Sequence, residues 1–340
     1  MLTFGEVHTG LLQNSTPLAS GQVTDVLRPL SGDQIQRFER PIPRAVSSDR
    51  PVGVDCRMPS ASGTNPHVVG TVLWHSAIVG GHIVQSSAHA CVVPADEKRR
   101  LPWSHYTAFP GRLETLGKAD DHEDIAKGLI RGVTRPDHLD TTAIATRVLD
   151  RVQRSALLDR LPAVRTRRTR LRWTVIGTGS EPRPIVATFR VVSDDLRTME
   201  VAVPDELVPG VISLCEDLAL HDWLLTTVSR LLELTLTSSR TQLEKADLLR
   251  PAVDYFLHLW MPGARVDETL EPVWEALEHR PGFTRQWETS VARIRDQISL
   301  STIELLEQAN AALPKAVAVA NARPRLGPRP PRRSRGDCHL

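Results

Sequence analysis

The chain has 340 residues, 41% of them hydrophobic, 4% aromatic and 24% charged, with four cysteines and a formal net charge of +2. These values exclude a wholly disordered chain, a collagen-like one and a disulfide-stapled one, and the apolar runs are too short and interrupted to cross a bilayer. The length suits roughly two domains, or one large domain with a tail.

The opening residues Met1 to His8 lack a basic start and a continuous apolar stretch, and Glu6 interrupts what hydrophobicity there is. A cytoplasmic protein with no membrane association is therefore expected. Cys56, Cys91, Cys215 and Cys338 lie far apart with no Cys-x-x-Cys spacing, which fits free thiols in a reducing compartment. Five of the 42 basic residues are lysines, leaving 37 arginines, a bias that a GC-rich bacterial genome produces. The small net charge hides a segregation: residues 312–340 carry +6, residues 1–311 sum to −4, and residues 205–310 alone sum to −9.

Residues 1–115 read as β-rich, with short apolar runs broken by Gly, Pro, Ser and Asn. Two β-rich runs, Val68 to Val79 and His82 to Val93, flank Gly80-Gly81 and predict a hairpin, because both turn residues must take positive φ. His75, His82 and His89 fall in it at odd spacing, so alternation along a strand sets them on opposite faces, solvent-facing or singly hydrogen-bonded. Residues 116–204 hold a linking helix from about Ala143 to Arg160, capped by Asp140, then a basic stretch and a small antiparallel sheet that is either separate or continuous with the first. From Asp205 the pattern turns helical: a segment apolar nearly all round (Val211 to Leu232), then helices over about Gln242–Trp260, Val266–His279 and Phe283–Asn310. Residues 205–311 thus read as a bundle of about four helices, and residues 312–340, rich in Arg, Pro and Ala, as a disordered basic tail. The fold class is α+β.

Four runs carry a resemblance: Arg100-Leu101-Pro102-Trp103-Ser104-His105-Tyr106, the segment Leu214 to Thr227, the segment His258 to Asp267, and Arg280-Pro281-Gly282-Phe283-Thr284-Arg285-Gln286-Trp287-Glu288. Through them the chain resembles, over about residues 1–310, an actinobacterial, streptomycete-type family of conserved hypothetical proteins. The resemblance implies a gene lying beside those for a variant P-loop protein and a methyltransferase, and so one component of a multi-protein cytoplasmic system. It implies no activity, and no catalytic residue comes with it.

The most chemical-looking patch is Glu216 to Asp222, in which Asp217 and His221 stand four apart and share a helix face, the spacing of a metal-binding or acid–base pair. Asp254 and His258 repeat that spacing, so two Asp–His pairs could face each other across a bundle as metal candidates. Against this, a catalytic zinc takes three protein ligands and helical carboxylate sites use Glu-x-x-His, neither of which is present, so the plainer reading is two intrahelical pairs. Ile176-Gly177-Thr178-Gly179-Ser180 is followed by Glu181-Pro182 rather than a helix, and reads as a turn instead of a phosphate loop. No Gly-x-x-x-x-Gly-Lys-Ser/Thr, Gly-x-Ser-x-Gly or His-Glu-x-x-His occurs.

Arg165, Arg167, Arg168, Arg170 and Arg172 form an acid-free stretch, and Arg168, Arg170 and Arg172 fall on one face of a strand. That ridge suits phosphates or an acidic partner, or it docks against the acidic helical half of the same chain. With no catalytic motif, no cofactor motif and polarised charge, the expected function is a non-catalytic protein-interaction or scaffold subunit. Its partners would be other proteins, neighbouring gene products among them. A metal enzyme using the Asp–His pairs and a nucleic-acid accessory protein using the arginine segments are the alternatives.

Overall fold

The computed structural model describes residues 1–28, 34–95, 99–116, 121–132, 135–179, 185–237, 241–263 and 266–322. In chain order its elements are β1 (Leu2–Leu11), α1 (Ser20–Leu27), β2 (Ile35–Phe38), β3 (Arg44–Ser47), β4 (Arg50–Arg57), β5 (His67–Val79) and β6 (Ile83–Pro94). There follow α2 (Trp103–Ala108), β7 (Arg112–Leu116), α3 (His122–Arg131), α4 (Thr141–Gln153), β8 (Thr169–Gly177), β9 (Val186–Val191) and β10 (Leu196–Val203). The last elements are α5 (Val208–Thr237), α6 (Gln242–Pro251), α7 (Glu271–His279) and α8 (Phe283–Ala322).

The Gly-Gly hairpin forms as its residues dictate. Gly80 and Gly81 hold φ of 57° and 70°, and a Cβ on Gly81 would stand 2.6 Å from the Leu18 carbonyl oxygen. Beyond it β5 and β6 pair from Val79–Ile83 to Leu73–His89 and then part. β7 fills the fork, antiparallel to the first residues of β5 and parallel to the end of β6. At the crotch Gly70 has φ of 155° and lies against the Arg112 carbonyl oxygen, where no side chain fits.

The β-rich stretches on either side of α4 are one sheet. β1 pairs β6 on one side and β8 on the other, β8 runs parallel to β10, and β9 closes that edge, giving ten strands in the order β2-β3-β5-β7-β6-β1-β8-β10-β9 with β4 paired to β5. The expected small antiparallel sheet is therefore a mixed extension. A parallel β8–β10 pair needs a crossover, which the intervening β9 supplies.

Alternation along these strands sends odd-numbered side chains of β1, β6 and β8 toward α5 and even-numbered ones toward α3 and α4. Val7, Leu171, Trp173 and Val175 join the α5 side, packed with Trp223, Phe256, Phe283 and Trp287. Leu2, Phe4, Ala88 and Ala90 pack with Ile125, Leu129 and Ala145 on the other, and a third cluster lies under α1 with Leu27, Ile78 and Leu149. The molecule is thus α+β with the C-terminal helices forming a layer on the sheet rather than a free bundle. α5 sits between the sheet and α6 and α8, which is why it is apolar nearly all round.

Several boundaries move for identifiable reasons. α4 starts where expected, with Asp140 Oδ1 accepting from the Ala143 amide at 2.9 Å, but ends at Gln153, whose side chain donates to the Leu11 carbonyl and accepts from the Gln13 amide. The helix expected over 242–260 rewinds after Pro251 into wide turns at Ala252–Phe256 and tight ones at Leu257–Leu259, since proline removes a donor and crowds the preceding turn. The one expected from Val266 begins as a single tight turn, with α7 following at Glu271 after the Asp267 cap, where Asp267 Oδ1 accepts from the Thr269 amide. α1, α2 and α3 lie in stretches read as strand-like or left unassigned. α8 continues to Ala322, past the Asn310 end read from its pattern and into the segment expected to be disordered; residues 323–340 of that tail lie outside the described residues.

Candidate functional site

A helix buried on nearly every side must pair its charges inside the protein. On α5 the first is Glu216: its Oε2 lies 2.6 Å from Arg44 Nη2 on β3, and its Oε1 lies 2.6 Å from His75 Nε2 on β5. His75 Nδ1 in turn lies 2.8 Å from Asp49 Oδ1, and Asp49 is half-exposed. Gln85 on β6 completes the seam, donating to the Glu216 carbonyl at 2.9 Å and to Thr9 Oγ1 at 3.1 Å. Burial by itself would lower the His75 pKa, but the Glu216 carboxylate and then Asp49 overcome it and hold it up to about 10. Burial likewise acts to raise Glu216, and His75 and Arg44 prevail, keeping its carboxyl well below the usual range. His75 is therefore an imidazolium, hydrogen-bonded to Asp49 through Nδ1 and ion-paired with Glu216 through Nε2.

His89 lies edge-on to His75 with ring centroids 6.3 Å apart. The two stand fourteen residues apart, an even spacing, and the hairpin register puts them together: Ser87 opposes His75, so His89 is the diagonal neighbour on the same face, while His82, at the odd seven-residue step, lies in the turn. All three hairpin histidines are buried, contrary to the solvent-facing expectation. His82 packs against the Tyr255 ring at 4.4 Å, and burial, aided by His258, pushes its pKa down to about 4.

A further α5 charge tied to the sheet is Asp222. Arg197 on β10 sets Nε 2.8 Å from Asp222 Oδ2, donates from Nη2 to Thr226 Oγ1 at 2.9 Å and from Nη1 to the Ser193 carbonyl at 2.7 Å. Here burial outweighs the arginine, and the Asp222 pKa is raised. The third charged seam is on the opposite face, where Glu6 on β1 meets His8 at 2.9 Å, Arg172 Nε at 3.1 Å and Thr142 Oγ1 at 2.8 Å. Burial would raise Glu6, but the His8 hydrogen bond and the Arg172 charge hold it at about 2.

Asp217 and His221 are together, fully buried on α5. His221 Nδ1 donates to the Asp217 carbonyl at 2.7 Å and lies 3.4 Å from its carboxylate, while its Nε2 accepts from the Met261 amide at 3.3 Å. Both ring nitrogens are engaged, and the ring edge meets Trp260, which stacks on Trp287 with centroids 4.2 Å apart. Asp254 and His258 do not face this pair. They are exposed on the rewound segment after Pro251, with Asp254 3.4 Å from Arg250. Among the described residues no three His, Cys, Asp or Glu side chains gather as a metal site would require.

The arginine stretch divides between the two faces of the sheet. Arg168 pairs with Asp150 at 2.6 Å, Arg170 with Asp195 at 2.8 Å, and Arg172 with Glu6, so the strand ridge is neutralised from within. None of those acids belongs to the acidic helical half. Arg165 and Arg167 instead reach the surface beside α5, with Arg167 2.9 Å from Asp194 and its carbonyl accepting from Trp223 Nε1. The glycine turn after Ile176 is described only to Gly179, and residues 180–184 lie outside the described residues.

Beside Arg167 opens a cleft of about 720 Å³ between α5 and the β9–β10 turn. The Arg197–Asp222 pair and Thr226 line it together with Arg230, and Val191, Val192 and Leu234 stand at its sides, 64%, 59% and 43% exposed. None of the five principal cavities among the described residues is lined by Asp49, His75, His89 or Glu216. Glu216 and Asp222 bound the patch read from the sequence without being given a role, and Glu6 and Arg197 were not singled out. The available signal was a charge inside a largely apolar helix or strand.

No family model, no curated protein and no solved structure matches the chain. No helix among the described residues is long and apolar enough to cross a membrane.

Proposed function

We propose that the chain is a non-catalytic protein-interaction subunit that takes an amphipathic segment of a partner protein in the cleft between α5 and the β9–β10 turn. One observation carries the reading: an open cleft of about 720 Å³ in which exposed Val191, Val192 and Leu234 stand beside Arg167 and Arg230. Contiguous exposed apolar side chains with a polar border mark interaction surfaces, and arginine is enriched there. The acid–base groups support the same reading. Glu6, His75, Glu216 and His221 are each closed by partners of their own chain.

The variant P-loop protein and the methyltransferase that the resemblance implies are the first partners to test. The full chain is titrated with each purified candidate, in parallel with Leu234→Glu and Arg230→Glu. A stoichiometric complex that weakens at least tenfold in both variants, with unchanged urea midpoints, supports the proposal. A complex indifferent to both substitutions refutes the cleft, and absence of any stoichiometric partner for the full chain refutes the subunit reading.

A further inference from the structure

On the α3 side of the sheet, the turn between β4 and β5 folds over α3. Its shape comes from its own side chains: the Ser60 amide donates to Asn65 Oδ1 at 3.2 Å, the Asn65 amide to Ser60 Oγ at 3.0 Å, and Ser62 to the Asp124 carboxylate from its amide at 2.9 Å and its hydroxyl at 2.6 Å. Gly63 turns through φ of 83°, and Gly128 on α3 lets the turn approach, since a Cβ there would stand 2.5 Å from the Ser60 Cα. The chain beyond α3 is anchored separately. The Arg57 amide donates to the Asp137 carbonyl at 2.9 Å and the Leu139 amide to the Arg57 carbonyl at 2.8 Å, which clamps the backbone on both sides of His138.

Between these two anchored segments lies a cavity of about 220 Å³ whose lining includes Ser60, Gly63, Arg131, Arg135 and His138. His138 is only 8% exposed, and among the described residues neither of its ring nitrogens has a hydrogen-bond partner. Folded proteins seldom leave such a group unanswered, and each exception asks for an explanation. The loop hydroxyls are already engaged, and among the described residues Arg131 and Arg135 form no ion pair. The nearby acids are occupied: Asp124 by Ser62, and Asp137 lies 3.6 Å from Arg57. What remains open is two guanidinium groups and an imidazole with, among the described residues, no free carboxylate beside them. Guanidinium forks match the oxygens of a phosphoryl group, and an imidazole can donate to a third oxygen.

We propose that this cavity binds a phosphate monoester group, with Arg131 and Arg135 on the phosphoryl oxygens and His138 donating from the floor. The site is separate from the α5 cleft and does not depend on the subunit reading. Inorganic phosphate is the probe, added to the full chain at constant ionic strength while the histidine ring signals are followed by NMR, with His138 assigned through His138→Gln. The expected result is a saturable shift of the His138 signal at millimolar phosphate or below. Phenyl phosphate should reproduce it, and affinity should fall at least tenfold in Arg131→Gln and Arg135→Gln, whose exposed positions leave the fold intact. A shift matched by chloride or acetate alone, an affinity unchanged in the Arg131→Gln, Arg135→Gln double variant, or no saturable shift at all overturns the site.

Discussion

Replacing Glu216 with glutamine keeps the size of the side chain and removes the charge that two sheet cations share. Arg44 then stays buried opposite a neutral amide, and His75 keeps only Asp49. Breaking a buried pair by removing one partner costs about 3–5 kcal/mol. The titration of His75 leads to a similar figure: the interval between 6.5 and about 10 corresponds, at about 1.36 kcal/mol per pH unit, to about 5 kcal/mol. Its sign is fixed, because the folded pKa lies above the unfolded one. This stabilisation is complete below pH 6.5 and is lost as pH rises through about 10. Urea unfolding followed by tryptophan fluorescence at pH 6, 7.5, 9 and 10 reads both consequences, with Trp173 and Trp223 as buried reporters. The wild-type chain should weaken progressively above neutrality; Glu216→Gln should be about 3–5 kcal/mol less stable at pH 6 and show a flatter alkaline fall. A loss below about 1 kcal/mol, the worth of an exposed pair, or an alkaline fall identical in the two proteins would refute the reasoning.

Glu6→Gln should cost about 3–5 kcal/mol at pH 6, because Arg172 loses its buried counter-charge and His8 its hydrogen-bond acceptor. Since the folded Glu6 pKa of about 2 lies below the ordinary 4.5, its contribution is present above pH 4.5 and lost as pH falls toward 2, and the gap between wild type and variant in unfolding series should be narrower at pH 3 than at pH 6. Gly70→Ala drives a methyl group onto the Arg112 carbonyl at the fork of β5 and β6, and a loss of about 1–3 kcal/mol or more in chemical unfolding is expected. His221→Ala should cost about 2–3 kcal/mol through the cavity beside Trp260 and the unmet Met261 amide, while dialysis against EDTA leaves the thermal midpoint in place. A midpoint that falls on chelation would restore the metal reading of that pair.

The elements legible from sequence were those whose signal is local. Gly80-Gly81 between two β-branched runs is sufficient for a hairpin, and Asp140 before Thr141 is sufficient for a helix start. The Val211 to Leu232 stretch announced a central helix because it has almost no polar face. What escaped was set by distant residues: β8 lies parallel to β10 because β9 turns between them, and nothing in the Leu171 to Ile176 run records that. The candidate site shows the same division. Asp217 and His221 stand out by their spacing, whereas Glu216 and Asp222 beside them tie the helix to the sheet, and their partners Arg44, His75 and Arg197 are separated from them by 25 to 172 residues. The seven-residue spacing drew attention to parity at His82 and hid the meeting of His75 with His89, which only the hairpin register across two strands reveals.

β1 occupies the middle of the sheet, yet its neighbours end at Pro94 and Gly177. At a synthesis rate of about 5–20 residues per second, its second edge stays bare for roughly 4–17 seconds after the first is covered. During that interval the nascent sheet offers an unpaired row of β1 backbone N–H and C=O groups, the template on which strands of other chains add. The order in which the ribosome delivers these strands, more than the stability of the finished sheet, therefore sets when this protein is most exposed to aggregation, and slowed translation across residues 95–168 should lower its soluble yield.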